Sequence, residues 1–363
     1  MQSVRGIVHT LEIQLYMSTD YIDDNVDLKI FERPDNSVGK YLHICEGFNT
    51  TLRFINPYRV SVYVKIDLFA LTSLRDTDES NYDLIFPMIQ SYFCFMFDMD
   101  ARNIAMNRID FCFDFSVDEF EKKGINNLLE KKVCAETHQY KRNDELIKSS
   151  EYEGSIYFNG NRRQLVNAEK AKTASKPYKF RKQAKKLLIY DKEKQSPGIS
   201  EYLNNRRFEV TLNRAALRYN SKKNGIDDTL ERYLNTDMAK EVFLKEYGKI
   251  LLRGNYYKAD KAKQKILASN LSKEKENKLM KFIDLLIRLP YAELKLIIDN
   301  KISKKKKGKE KLKYIKMVAK ELTPFKFRSY IQQLETLGIN PILLDRDFKL
   351  DFMQNPLELV AKI

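Results

Sequence analysis

Apolar and polar residues alternate strictly across residues 108–115, which read RIDFCFDF. The alternation places one isoleucine and three phenylalanines on one face of a predicted strand, and Asp110, Cys112 and Asp114 on the other. The aromatic face predicts a hydrophobic core behind the strand. The two carboxylates lie about 13 Å apart along an extended strand. Because aspartate is disfavoured in strands, their face is predicted to be either solvated or a site for cation binding or acid–base chemistry.

The same period of two predicts further strands in the first 215 residues. They cover residues 6–17, 40–46, 51–56, 59–71, 132–141, 153–159, 186–192 and 205–212. Along 186–192, Tyr190 and Lys192 share one face. Along 205–212, Arg207, Glu209 and Thr211 face away from the predicted core. Three strands therefore present carboxylates, a tyrosine and cations on faces that the core does not use.

Helical spacing dominates after residue 214 and predicts an α+β fold. The predicted helices after this point are 227–233, 237–252, 272–289, 291–300 and 325–337, and Gly338 is predicted to cap the C-terminus of the last one. Two helices are predicted earlier in the chain. One is a buried helix within 76–97 that contains Pro87, and the other covers 117–130 and begins with a Ser116–Glu119 capping box. Residues 1–215 are predicted to form a mainly antiparallel sheet with packed helices, including a basic loop at 161–186. Residues 216–363 are predicted to form a helical module.

Composition then points to a polyanionic partner. The 363 residues carry 65 Lys and Arg against 50 Asp and Glu, a formal net charge of +15. A surplus of this size favours nucleic acid, with an acidic membrane surface as the alternative. The sequence contains no run of eighteen apolar residues, so no transmembrane helix is predicted. The N-terminal residues alternate between apolar and polar, which is typical of a strand rather than of a signal peptide. The four cysteines form no CxxC pair, which argues against zinc or a disulfide framework and favours a reduced, cytoplasmic setting.

Two strongly basic segments are candidate DNA contacts. Residues 162–186 hold ten basic residues against one acid, with Tyr178 and Phe180 among them, and residues 301–320 hold ten lysines against one acid. Each is either a solvated linker or a clamp for phosphates, and aromatic residues among the charges suit stacking on unpaired bases. The candidate DNA-binding residues are Arg162, Arg163, Lys179, Arg181, Lys182, Lys185, Lys186, Arg207, Lys304, Lys305, Lys306 and Lys307.

The faces described above could support a tyrosine nucleophile acting on DNA. A phenol with an ordinary pKa of about 10 must lose its proton to attack, and a divalent cation can polarise the phosphate under attack. Mg²⁺ and Mn²⁺ take oxygen ligands, which Asp110, Asp114 and Glu209 could supply if their strands are neighbours. Lys192 could hold a phosphate oxygen or lower the pKa of the Tyr190 phenol. Asp110, Glu209 and Tyr190 are then expected to converge around one ion.

Four segments in order, RIDFCFDF, SIYFNG, LLIYDKEKQ and RRFEVTL, resemble the core motifs of rolling-circle replication initiators, both plasmid initiators of the Rep_trans type and filamentous-phage initiators. The resemblance implies Tyr190 as the nicking nucleophile, Lys192 as an active-site cation, and Asp110 and Glu209 as metal ligands, with Asp114 a further candidate. It implies a site-specific nick that leaves a 5′-phosphotyrosyl link and a free 3′-OH. The expected partners are origin DNA, both duplex and single-stranded, a host helicase and polymerase, and a second copy in a homodimer.

The chain departs from that family pattern in two ways. A long basic loop separates SIYFNG from the Tyr-x-Lys strand, which leaves Tyr157 and Tyr178 as rival nucleophiles. The chain also lacks the His-x-His metal motif of many rolling-circle enzymes, so any metal would be held by carboxylates.

The sequence thus predicts a replication initiator that nicks origin DNA through a metal-dependent tyrosine. A recognition helix at 310–322 or 325–337 would bind the origin duplex. One alternative is a non-catalytic origin-binding initiator or DNA-binding regulator. Another is an RNA-binding protein that uses an aromatic sheet face.

Overall fold

The computed structural model of the protein describes residues 4–34, 39–45, 47–72, 82–118, 121, 124–125, 156–159, 185–191, 204–224, 228–234, 236–298, 317–318 and 320–362. The strands are β1 Val4–Ser18, β2 Lys40–Cys45, β3 Phe48–Asn56, β4 Arg59–Asp67, β5 Met106–Ser116, β6 Ile156–Asn159, β7 Lys185–Asp191, β8 Asn205–Asn213, β9 Tyr256–Tyr257 and β10 Phe352–Met353. The α-helices are α1 Thr19–Asn25, α2 Leu68–Thr72, α3 Tyr82–Phe97, α4 Arg214–Asn224, α5 Leu230–Tyr233, α6 Thr236–Leu251, α7 Ala259–Leu267, α8 Lys273–Arg288, α9 Tyr291–Ile298, α10 Pro324–Thr336 and α11 Pro356–Val360.

Eight of the described strands form one sheet in the order β2-β3-β4-β1-β5-β8-β7-β6. All the pairings described in it are antiparallel. The first strand of the chain lies in the middle of the sheet, paired on one side with β4 and on the other with β5. The predicted α+β fold with a mainly antiparallel sheet is therefore confirmed.

Aromatic side chains hold α6 against one face of the central strands. The ring of Phe243 on this helix lies 4.5 Å from Phe113, 6.1 Å from Phe115 and 6.3 Å from Phe208, measured between centroids. The Tyr247 hydroxyl donates a hydrogen bond to the Glu209 carbonyl oxygen at 3.0 Å. The aromatic face of the 108–115 stretch is thus the core face, as predicted. The division of the chain at residue 215 stays a prediction, and α6, although beyond it, packs on the sheet.

Helix α3 covers the same face of the sheet further along. Tyr92 stacks on Phe48 of β3 with ring centroids 3.8 Å apart, and its hydroxyl hydrogen-bonds Thr50 at 2.5 Å. Phe95, one turn further along the helix, is 82% exposed. The predicted helix is confirmed over 82–97 with Pro87 inside it, and it is buried on the side that packs on the sheet and exposed on the other.

Two predicted boundaries are also wrong, and side-chain hydrogen bonds explain both. The strand expected over 59–71 ends at Asp67, whose carboxylate accepts a hydrogen bond from the Ala70 amide at 3.3 Å as α2 begins. Ser116 ends β5 rather than capping a helix. The capping box is formed two residues later, where Asp118 and Glu121 each accept a hydrogen bond from the other's amide, at 2.7 and 3.1 Å.

The predicted C-terminal helices are present as α5, α6, α8, α9 and α10, with ends shifted by up to three residues. Gly338 adopts a φ of +67° just after α10, as its predicted C-cap role requires. Helices α4, α7 and α11 had not been predicted as separate elements. The predicted strand 132–141 lies outside the described residues. Across the described helices, none is long and apolar enough to span a membrane.

Candidate functional site

The four motif segments lie on four adjacent strands, in the order β5-β8-β7-β6. The β6–β7 pairing joins Tyr157 to Leu188 and Asn159 to Lys186. The long basic segment between these strands therefore does not disrupt the pairing that the motif order implies.

The register of these strands sorts the candidate residues into rows across the sheet. One row contains Asp114, Arg207 and Tyr190, each paired directly with the next. The adjacent row contains Cys112, Glu209, Leu188 and Tyr157, and the one after it contains Asp110, Thr211, Lys186 and Asn159. Tyr190 and Asp110 are thus two strands and four residues apart, about 16 Å between their Cα positions. Asp114 and Glu209 have backbone positions nearer to Tyr190.

The row that contains Tyr190 also contains a fully buried ion pair. Arg207 donates through Nε to Asp114 Oδ1 at 2.6 Å and through Nη2 to Oδ2 at 2.5 Å. The side chain of Arg207 is 1% exposed and that of Asp114 is 5% exposed. A planar guanidinium matches a carboxylate in this two-bond arrangement, and the shielding from water makes each bond stronger than at a surface. Asp114 is therefore held in place by the residue opposite it.

A second guanidinium, that of Arg108, binds two carboxylates near the row that contains Asp110. Arg108 donates to both oxygens of Asp110, at 2.9 and 2.6 Å, and to Glu12 Oε1 on β1 at 3.0 Å. Burial raises the pKa of Asp110, while the charge and hydrogen bonds of Arg108 oppose that rise. Arg108 keeps 34% of its side chain exposed, so it marks where the cluster meets solvent.

Glu209 lies between the two ion pairs. Its carboxylate accepts from the Cys112 thiol at 3.8 Å and from the Thr211 hydroxyl at 3.4 Å. We call Glu12, Arg108, Asp110, Cys112, Asp114, Arg207, Glu209 and Thr211 the polar cluster. Every member except Arg108 is buried. The face of β5 that carries Asp110 and Asp114, predicted to be either solvated or a site for cation binding or acid–base chemistry, is thus a buried array of charged groups.

The polar cluster includes Glu12 and Arg108, which were not among the predicted catalytic, metal-binding or DNA-binding residues. Tyr63 on β4 extends it, since its hydroxyl hydrogen-bonds Glu12, and burial together with Glu12 raises the pKa of this phenol. Glu12 could have been noticed, because it is a carboxylate on the polar face of β1, which alternates with the apolar positions Leu11 and Ile13. Its partner could not, because the pairing of β1 with β5 joins positions 96 residues apart.

Several predicted site residues have no described side chain. Lys192, Arg162, Arg163, Lys179, Arg181, Lys182, Lys304, Lys305, Lys306, Lys307 and the rival nucleophile Tyr178 lie outside the described residues, while Tyr157, Lys185, Lys186 and Tyr190 are described by backbone alone. Their roles stay predictions.

The predicted metal ligands are not gathered into one shell. Among the described residues, no three His, Cys, Asp or Glu side chains are placed to hold a metal ion. Asp110 and Asp114 each use both oxygens on a guanidinium. A cation would have to compete with Arg108 and Arg207 for these carboxylates. Metal binding by Asp110, Asp114 and Glu209 therefore stays a prediction.

The environment of Cys112 makes a prediction about thiol chemistry. Burial raises the pKa of the Cys112 thiol well above its ordinary value, and the negative charge of Glu209 adds to this rise. Cys45 and Cys94, in contrast, are exposed to solvent. Only a thiolate reacts readily. Iodoacetamide at neutral pH is expected to label Cys45 and Cys94 in the folded protein and Cys112 only after unfolding, as read by peptide mass spectrometry. Rapid labelling of Cys112 in the folded protein would mean that the polar cluster opens to solvent.

A scan of protein-family models and a search of curated proteins found no match. Among solved structures, the chain is similar to a rolling circle replication initiator protein from Geobacillus stearothermophilus. The match has 10% sequence identity and a TM-score of 0.30, and it covers 66% of this chain and 84% of the other. A likeness at that level shows neither a family nor an activity for this chain.

Proposed function

We propose that this protein initiates rolling-circle replication by nicking one DNA strand at an origin through Tyr190. The observation that carries the proposal is the arrangement of the four motif segments on adjacent strands. Their register puts Tyr190 in one row with Asp114 and Arg207, with Glu209 in the next row. Four segments chosen only by their resemblance to initiator motifs thus occupy one continuous part of one sheet.

The proposed reaction is a transesterification. The Tyr190 oxygen attacks the phosphorus of the scissile phosphodiester, a bond from phosphorus to the phenolic oxygen forms, and the bond to the 3′ oxygen breaks. The phenol gives up its proton and the departing 3′ oxygen gains one. The product is a 5′-phosphotyrosyl link whose bond energy is kept for rejoining. Lys192, two residues after the nucleophile, would neutralise charge on the phosphate.

A divalent cation is part of the proposal. Mg²⁺ or Mn²⁺ would supply charge stabilisation at the scissile phosphate, and Asp110, Asp114 and Glu209 are the carboxylates proposed to hold it. Because guanidinium groups now occupy two of these three carboxylates, cation binding is proposed to displace Arg108 or Arg207.

Binding of the origin duplex is assigned to the helical part of the chain. Helix α10 corresponds to the predicted recognition helix at 325–337, and it exposes Phe325, Arg328 and Gln332 on one side while Phe327 and Leu334 are buried. Arginine and glutamine are suited to two-bond recognition of guanine and adenine in the major groove. The Lys304–Lys307 patch is proposed to contact phosphates of the same duplex.

A second function is favoured by one specific observation. The chain could bind an origin without cutting it, because two of the three candidate metal ligands already form two-bond ion pairs with arginines. A purely structural role would need no further partner for them.

A cleavage assay separates the two functions. Purified protein is incubated with Mg²⁺ or Mn²⁺ and supercoiled DNA carrying its own gene and flanks, and nuclease and protease digests are searched for a nucleotide-linked tyrosine. An adduct on Tyr190 supports the proposal, and an adduct on Tyr157 or Tyr178 keeps the function but moves the nucleophile. If the protein binds the DNA but produces neither a nick nor an adduct, the non-catalytic alternative is established.

A further inference from the structure

The polar face of the sheet continues beyond the polar cluster onto β1, β4 and β3, where it reaches solvent. The register aligns Tyr16 with Ser61 and Arg53 in one row, Gln14 with Tyr63 in the next, and Glu12 with Lys65 after that. The opposite face of these strands is buried under α3 and the core. We call Gln14, Tyr16, Arg53, Arg59 and Lys65 the open sheet face.

This surface is positively charged. Arg53, Arg59 and Lys65 are all exposed on it. Of the acids on this face, Glu12 is ion-paired with Arg108, and Asp67 lies at the far end of β4, where its carboxylate accepts an amide hydrogen bond from α2. Three exposed cations on neighbouring strands are therefore available to phosphate groups.

Tyr16 supplies a flat aromatic surface among those cations. It is 44% exposed, and the guanidinium of Arg59 lies 4.3 Å from its ring centroid. The Gln14 amide donates to the Tyr16 hydroxyl and to the Ser61 hydroxyl, both at 3.2 Å. The ring is thus held in a fixed orientation on the sheet. Unpaired bases stack on such rings, whereas the bases of a duplex are stacked on each other and are not available to it.

The open sheet face joins the polar cluster directly. The row that contains Lys65 continues through Glu12 to Arg108, the partly exposed member of the cluster. From Tyr16 to Glu12 the distance along β1 is about 13 Å. A strand lying over Tyr16 and Arg53 would therefore reach the mouth of the cluster within a few nucleotides.

We propose that the open sheet face binds single-stranded DNA, with Tyr16 stacking on a base and Arg53, Arg59 and Lys65 contacting phosphates. The binding surface stands on the described residues alone. Its further role, to lead the strand toward the nicking residues, rests on the proposed function.

Binding of fluorescein-labelled dT20, followed by anisotropy over a range of salt concentrations, tests the surface. Arg53→Ala/Arg59→Ala is expected to weaken binding about tenfold or more and to reduce the slope of log affinity against log salt by about 1.4, or about 0.7 for each lost phosphate contact. Tyr16→Ala is expected to weaken binding about tenfold, as for loss of one stacked base, and Tyr16→Phe to preserve it.

The matched control is Lys245→Ala/Lys275→Ala, which removes the same charge from exposed positions on α6 and α8. Arg53→Lys/Arg59→Lys is expected to keep the wild-type salt slope. Equal losses for the control and the Arg53/Arg59 variant would overturn the surface, and tighter binding of rU20 than of dT20 would overturn the choice of DNA. A protein that binds dT20 through this face but leaves no nick in its own DNA would retain the surface and refute the nicking function.

Discussion

Replacement of Tyr190 by phenylalanine is expected to abolish strand cleavage and leave DNA affinity unchanged. The substitution removes only the hydroxyl oxygen, so the new bond to phosphorus has no atom to form from. Loss of a covalent nucleophile typically costs at least about three orders of magnitude in rate. The measurement is the conversion of supercoiled DNA to the nicked form, together with a binding titration on the same DNA.

Tyr157→Phe and Tyr178→Phe are the matched controls for this result. Tyr157 is the more informative, because its backbone lies in the row of Glu209 and Leu188. If Tyr157→Phe abolishes cleavage and Tyr190→Phe does not, the nucleophile is one row away from the proposed position. If Tyr190→Phe removes binding as well as cleavage, its role is structural and the assignment of a nucleophile fails.

Alternation along individual strands allowed much of the core to be predicted. The burial of Phe111, Phe113, Phe208 and Val210 follows from a period of two, because every second side chain of a strand lies on the same face. Leu187 and Ile189 are buried for the same reason, and they pair with Val210 and Phe208. Local sequence is sufficient for such assignments because the side chains involved belong to one strand.

The state of the polar face depended on pairing between distant strands. Nothing local indicates that β1 lies between β4 and β5, or that Asp114 faces Arg207 across 93 residues. The aspartates were therefore recognised as unusual, but their guanidinium partners were not. The two-residue error in the capping box has a different cause, since Ser116 and Asp118 both fit the motif and the end of β5 decides between them.

Breaking the buried ion pair is the substitution expected to affect stability most. Arg207→Met leaves the Asp114 carboxylate buried without the guanidinium that binds both of its oxygens. Removal of one partner of a buried pair costs about 3–5 kcal/mol of unfolding free energy. Urea denaturation followed by circular dichroism measures this loss, and urea is preferred because guanidinium salts would screen the more exposed pair used as the control. Lys263→Ala, which removes a partly exposed partner of Asp284, is the control and is expected to cost less than about 1 kcal/mol.

The double variant Asp114→Leu/Arg207→Met then separates the two roles of Asp114. Replacing both charges with apolar groups of similar volume is expected to recover most of the lost stability, because no buried charge is left unpaired. If Asp114 serves only the ion pair, the recovered fold should also recover metal-dependent nicking. If Asp114 holds the cation, the double variant should fold but fail to nick, whereas the folded fraction of Arg207→Met, which keeps the carboxylate, should still nick. A double variant no more stable than Arg207→Met alone would instead mean that other groups depend on these charges, and Glu209, in the adjacent row, would be the first to test.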